Sequence, residues 1–378
     1  MRIVFAGVIA REPLAGLTWV WLQYLLGLRE LGHEVYFLEE SGDYAYVYDF
    51  ESMTESDDPR RGADYIDRFL RPFGFGESWV YRVGDDRLGT PATDFVDLCR
   101  STDLLIAVPT CLWSWRPEYD EIPVRVCLDI DPGFTQFRAA RGDWPVAEMV
   151  DHCNRFFTYG PAIAAGASPV PTLGRRWHAT YPPVFLAEWP VAYDPAAARL
   201  TTLMHWSLDP SPEFDGETYG QKDVEFELVV DLPRQTSQPL EVALNGGPWG
   251  RLQEHGWHVV SSDEPSRDPD GYRRYVQRAR GEFSVAKNGY VKTRCGWISD
   301  RTVCFLASGK PVLVEETGMS DWLPTGRGLL TFSDGEGALG GIEAINDDYA
   351  GQASAARRVA EVNFASDVVL TRLLEEAA

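Results

Sequence analysis

Residues 2–7 form a short apolar run ending in Gly7, residues 16–31 carry an amphipathic helical pattern stopped by Gly32, and residues 34–38 form a second apolar run. Strand, loop, helix and strand in this order make a βαβ unit, which builds parallel sheets with ligand sites at the carboxyl ends of the strands. No G-x-G-x-x-G follows Gly7, which counts against a nicotinamide-dependent enzyme.

The alternation continues with helical patterns at 64–70 and 95–99 and buried strands at 104–108, 124–128 and 155–158. Residues 39–61 are acidic, aromatic and turn-rich and read as a long surface loop. Around 177–199 four prolines lie between aromatic residues, and proline restrains itself and its predecessor to extended geometry, so a linker with a fixed path is expected there. A second α/β series follows, with strands at 200–206, 240–244, 257–260, 282–286, 311–314 and 329–332. Helices are expected near 223–230, at 272–279 and 299–307, and from about 351 to 376. The expectation is an α/β protein of two Rossmann-like domains facing across a cleft, with residues 1–190 on the acceptor side, 191–355 binding a nucleotide-sugar, and a helix at 356–378 packing back toward the first domain.

A chain of 378 residues, 44% of them hydrophobic, is long enough for two cores. Its formal charge, 35 − 57 = −22, repels nucleic acid and anionic membrane, so an anionic ligand must be met by a local cationic pocket. Six cysteines without a C-x-x-C pair read as buried free thiols, and the start lacks a basic leader pattern. The longest apolar segment, 16–28, is too short to span a bilayer. Together these point to a cytoplasmic protein.

The stretch 281–318 carries most of the candidate chemistry. The chain has four lysines, Lys222, Lys287, Lys292 and Lys310, and two of them flank the loop expected after residue 286. Ser299 is a favoured helix N-cap, with Gly309 and Pro311 marking the stop. The amino terminus of this helix, beside Lys287, Lys292 and Arg294, is arranged to hold a diphosphate, with Arg301 in its first turn. Asp300 accepts from ribose hydroxyls in one reading and merely complements the helix dipole in another. His205, at a carboxyl strand end, is a donor-site candidate, and His178 is either near a substrate or packed among linker aromatics. Gly246 and Gly247 permit close backbone approach to a ligand, or simply make a turn. Asp131 and Glu12 are candidate bases or acceptor contacts, with an Asp-Pro-Gly turn and a plain loop acid as the competing readings.

The wording YGQKDVEF, GEFSVAKNGYVKTRCGWISDR and CFLASGKPVL, with GHEVYFLEE and LDIDPGFTQF in the first half, resembles bacterial GT-B glycosyltransferases grouped with the spore-maturation (CgeB-like) proteins. The resemblance implies transfer of a sugar from a nucleotide diphosphate to a hydroxyl- or amine-bearing acceptor, without metal or other cofactor. It implies that Lys222 is a diphosphate ligand and that Asp300 stands where the second glutamate of the E-x7-E motif falls; Lys292 replaces the first. No D-x-D dyad is set as a metal-dependent transferase would use it, since Asp129 and Asp131 lie in the first half. A nucleotide-sugar epimerase of the same fold and a non-catalytic glycan or nucleotide binder are the alternatives.

Overall fold

The computed structural model describes residues 1–49, 54–207 and 210–378. Two sheets carry the fold. The first has eight strands, ordered Trp177–Ala179, Arg155–Thr158, Val124–Asp129, Leu104–Ala107, Arg2–Ala6, Glu34–Glu40, Trp79–Val83 and Asp86–Leu88. All neighbours pair in parallel except the last two, which form an antiparallel edge hairpin. The second has six parallel strands, ordered His258–Ser261, Leu240–Asn245, Leu200–His205, Gly281–Ser284, Val312–Glu315 and Leu329–Phe332.

Both orders reverse once, because in each half the first strand is flanked on one side by the second and on the other by the fourth of the parallel strands. In the first sheet the reversal lies between Arg2–Ala6 and Leu104–Ala107; in the second, between Leu200–His205 and Gly281–Ser284. At such a reversal the following loops leave toward opposite faces and open a crevice at the carboxyl strand ends.

Most expected strands and helices lie within a few residues of the sequence reading, but residues 39–61 depart from it. The strand Glu34–Glu40 runs through both adjacent glutamates, and Glu39 and Glu40 are fully buried. Val47–Asp49 then pairs antiparallel with Thr54–Ser56, and the helix Pro59–Leu70 begins at an Asp58 cap. Residues 50–53 of the expected loop lie outside the described residues. Glu39 is buried usefully: its carboxylate accepts from the backbone N–H groups of Ile9 at 2.7 Å, Ala10 at 2.8 Å and Arg11 at 2.9 Å. It thereby holds the loop that follows the first strand.

One of the apolar clusters spans the two halves. Trp19 and Tyr24 of the helix Ala15–Glu30 belong to the same cluster as Tyr272, Val303 and Phe305. Trp19 Nε1 donates to the Pro269 carbonyl at 2.8 Å, and the buried Gln23 Oε1 accepts from Phe185 N at 2.6 Å. The helix Ser366–Ala377 lies along Ala15–Glu30 so closely that a Cβ at Gly27 would stand 2.6 Å from Leu370 Cδ1. Arg155 Nε donates to the Ala377 carbonyl at 3.0 Å, and His178 Nδ1 lies 2.7 Å from Glu376 Oε2. All six cysteines are buried and unpaired. No helix among the described residues is long and apolar enough to cross a membrane.

Candidate active site

A cavity of about 240 Å³ opens at the reversal of the second sheet. Its floor is the carboxyl end of Leu200–His205 and the amino end of the helix Asp300–Ala307; Leu14 and Leu17 of the first half form part of its wall. The structure brings His205, Lys222, Lys287, Ser299, Asp300 and Arg301 together around this space.

Ser299 caps its helix by accepting from Arg301 N at 3.2 Å, so the first turn is fixed while its remaining N–H groups stay available to a ligand. The Arg301 guanidinium is buried and largely committed to protein. It donates to Glu282 Oε1, the Leu203 carbonyl and Ser284 Oγ, each at 2.7 Å. Its charge still reaches the cavity wall, but its geometry is that of an anchor beneath the helix terminus.

Lys222 is the opposite case. It opens the short helix Lys222–Phe226, lines the cavity, and among the described residues makes no hydrogen bond or ion pair. Burial, then the charges of Arg301 and Lys287, lowers its ammonium to about 7. An amine destabilised in this way gains most from an anion. Asp300 is held above the usual carboxylate range by burial, against the pull of Arg301 and Lys222. Burial, then the Lys222 charge, also pushes His205 down toward its neutral form.

Lys287 reaches across to the first half. Its Nζ lies 3.0 and 2.9 Å from the two Asp131 oxygens and 4.3 Å from the Phe134 ring centre. Tyr290 Oη also donates to Asp131. The Asp-Pro-Gly turn is present as well, since Asp131 O accepts from Thr135 N at 3.1 Å and Gly133 has φ 88°. Asp131 therefore serves the turn with its backbone and the ion pair with its side chain.

Other sequence candidates lie elsewhere. The expected loop after residue 286 contains a helix, Asn288–Thr293, which turns Lys292 outward to an ion pair with Glu217. Arg294 ends that helix in the left-handed region (φ 45°) and pairs with Asp321 at 3.2 Å, with 60% of its side chain exposed. Neither lines the cavity. Glu12 is exposed on its loop and also does not line it. Gly246 and Gly247 adopt φ 70° and 82°, and a Cβ on Gly247 would stand 2.8 Å from the Trp206 side chain. They make a turn, and neither lines the cavity, although the preceding Asn245 does. His178 sits against Phe157 and Glu376. Sequence reasoning missed Asn245, Ser262, Asp263, Tyr272, Tyr290 and Trp297, which also line the space. The positions of Asn245, Ser262 and Asp263 just at or beyond carboxyl strand ends were the available signal. Among the described residues no group of three or more His, Cys, Asp or Glu is placed to hold a metal ion.

No protein-family model and no curated protein matches this chain. Solved structures do match over nearly its whole length. An alpha-glucosyltransferase in complex with UDP and a 13-mer DNA containing an A:G mismatch is 12% identical, with 100% of this chain and 99% of that one covered at a TM-score of 0.62. Anabaena Alr3699/HepE in complex with UDP-glucose is 13% identical, with 99% and 98% covered at 0.61. AviGT4, a glycosyltransferase involved in Avilamycin A biosynthesis, is 12% identical, with 100% and 97% covered at 0.55. The chain shares the fold of these proteins.

Proposed function

We propose that the protein is a metal-independent glycosyltransferase of GT-B architecture that takes its sugar from a nucleotide diphosphate donor. In this reading residues 1–190 and 191–355 are two Rossmann-like domains facing across a cleft, with 356–378 packed on the first. The observation that carries it is Lys222: a half-buried ammonium, unpartnered among the described residues, beside a helix amino terminus at the reversal point of a parallel sheet. The shared fold supports the same reading, because the alpha-glucosyltransferase is in complex with UDP and Alr3699/HepE with UDP-glucose. A cytoplasmic setting is part of the proposal, resting on six unpaired thiols.

The reaction breaks the bond between the anomeric carbon and the diphosphate oxygen, and an acceptor oxygen or nitrogen forms the new bond. Negative charge grows on the departing diphosphate, and Lys222 with the N–H groups at the start of Asp300–Ala307 stabilises it there. Asp131 takes the acceptor proton. In the free protein both its oxygens are engaged by Lys287, so the lysine must turn toward the diphosphate before the carboxylate can act. Asp300 is assigned to the ribose or sugar hydroxyls. With −22 net charge, a nucleic-acid acceptor is disfavoured.

Calorimetric titration with UDP and UDP-glucose tests the donor assignment. Lys222→Ala is expected to weaken UDP-glucose binding by roughly tenfold or more, the size of a lost charge-assisted contact. Equal affinity in the two proteins would remove Lys222 from the site.

A further inference from the structure

The first sheet has its own reversal point, between Arg2–Ala6 and Leu104–Ala107, and the loops leaving it carry a cationic and an aromatic side chain beside their buried aliphatic ones. Arg11, on the loop after the first of these strands, donates from Nη2 to the Thr110 carbonyl on the loop after the second, at 2.8 Å. Its guanidinium carbon stands 4.5 Å from the ring centre of Trp113, while Nη1 is buried without a partner among the described residues. Trp113 in turn meets Trp144 edge to face, with centroids 5.6 Å apart and planes at 86°. Both indoles are exposed, Trp113 by 36% and Trp144 by 56%.

Arg11 and Trp113 are held from below. Glu39 fixes the backbone of Ile9, Ala10 and Arg11. Its neighbour Glu40 accepts from Arg116 at 3.1 Å and Tyr119 at 2.7 Å, and its carbonyl accepts from Trp113 N at 3.4 Å. An exposed Trp113 on a loop tied to Glu40, beside an Arg11 whose backbone Glu39 fixes, is preorganised for contact. Arg11 is three residues from Leu14, which lines the donor cavity, so their Cα atoms are no more than about 11 Å apart.

We propose that Arg11, Trp113 and Trp144 form the acceptor subsite and that its occupant is a neutral oligosaccharide. This rests on the glycosyltransferase reading above and names its acceptor class. Two indole faces at right angles suit successive, non-coplanar sugar rings, whose C–H faces are drawn to the negative face of the indole. A single flat aromatic ring would need parallel walls. The hydroxyls of such a glycan find an acceptor in Glu148, which receives Trp144 Nε1 at 3.2 Å, while Arg11 fixes the Trp113 ring from one side. The field of a chain with charge −22 opposes an anionic polymer.

The test is titration of the intact protein with maltohexaose, cellohexaose, laminarihexaose and xylohexaose, followed by tryptophan fluorescence, beside the flat phenol naringenin. UDP-glucose affinity is measured in the same samples. At least one hexasaccharide is expected to bind, and Trp113→Ala and Trp144→Ala each to weaken it at least fivefold while leaving UDP-glucose affinity and thermal unfolding unchanged. Binding by none of the four sugars, binding indifferent to both variants, or Trp-dependent binding of naringenin alone would each overturn the proposal. Failure of the wild-type protein to bind UDP-glucose would count against the glycosyltransferase reading instead, and the sugar titration would still report on the subsite.

Discussion

Lys287 and Asp131, which belong to different sheets, form a two-pronged ion pair across the site, at 3.0 and 2.9 Å. The same lysine lines the cavity assigned to the donor, so one ammonium faces two anionic claimants. Removing the charge of Asp131 frees it for the other. Asp131→Asn is therefore expected to tighten UDP-glucose binding about three- to tenfold and to slow transfer, with calorimetry reporting the first and turnover the second. Weaker binding would mean that Asp131 orders Lys287 for the donor rather than competing for it.

The pH dependence of donor binding follows from Lys222. Its ammonium sits at about 7 because burial, Arg301 and Lys287 oppose the charge, with Glu282 and Asp300 opposing that shift. An anion that binds the charged form loses affinity as pH rises through this value, by up to about tenfold per unit while the site must take up a proton. UDP-glucose carries a constant diphosphate charge in this range, so titrations between pH 6 and 9 read the lysine. Lys222→Arg stays charged throughout and is expected to flatten the profile.

Glu315 makes stability fall as pH rises. It is 2% exposed, accepts from Ala286 N at 2.9 Å, and is pushed up to about 9 by burial and by its hydrogen bond with Glu225. In the unfolded chain it ionises near ~4.3, so between these values the unfolded state has lost a proton that the folded state keeps. The contribution is whole below about pH 4 and is lost progressively as pH rises through about 9. Glu315→Gln is expected to be more stable than the parent by a margin that grows with pH, at up to about 1.4 kcal/mol per unit. Urea unfolding at pH 6, 7.5 and 9 would measure it, and a margin constant with pH would show that Glu315 is already ionised.

Arg294→Ala is expected to leave donor affinity and turnover within about twofold of the parent. Its one ion pair, with Asp321, is between side chains 60% and 62% exposed, and such pairs contribute about 0–1 kcal/mol. A large loss of turnover would place the guanidinium in the site after a movement of the Asn288–Thr293 helix.

The contrast between Arg294 and Arg301 shows what was legible in the sequence. Hydrophobic spacing, the Ser299 cap and the Gly309 stop located the helix Asp300–Ala307 and the amino end that lines the cavity. Periodicity also found the strands that set both reversal points. It did not reveal that residues 288–293 form a helix, because NGYVKT is short and its burial depends on contacts such as Phe134 against Tyr290 from the other half. Lys292 and Arg294 thus looked like neighbours of Lys287 in a loop and are turned outward in the fold. Leu14, Asn245 and Tyr272 meet across long sequence separations, which no local pattern encodes. The adjacent acids Glu39 and Glu40 read as the start of a solvated loop, because the backbone amides and arginines that compensate their burial come from elsewhere in the chain.

Gly27 admits the helix Ser366–Ala377 against Ala15–Glu30 at a distance no side chain would allow. On the ribosome, the partner that covers this helix emerges more than three hundred residues after it. Residues 1–190 must therefore wait, with an uncovered apolar face, through the synthesis of the whole second sheet. The order of translation and the order of packing run in opposite directions here, and the seam between the two sheets is not a seam in folding.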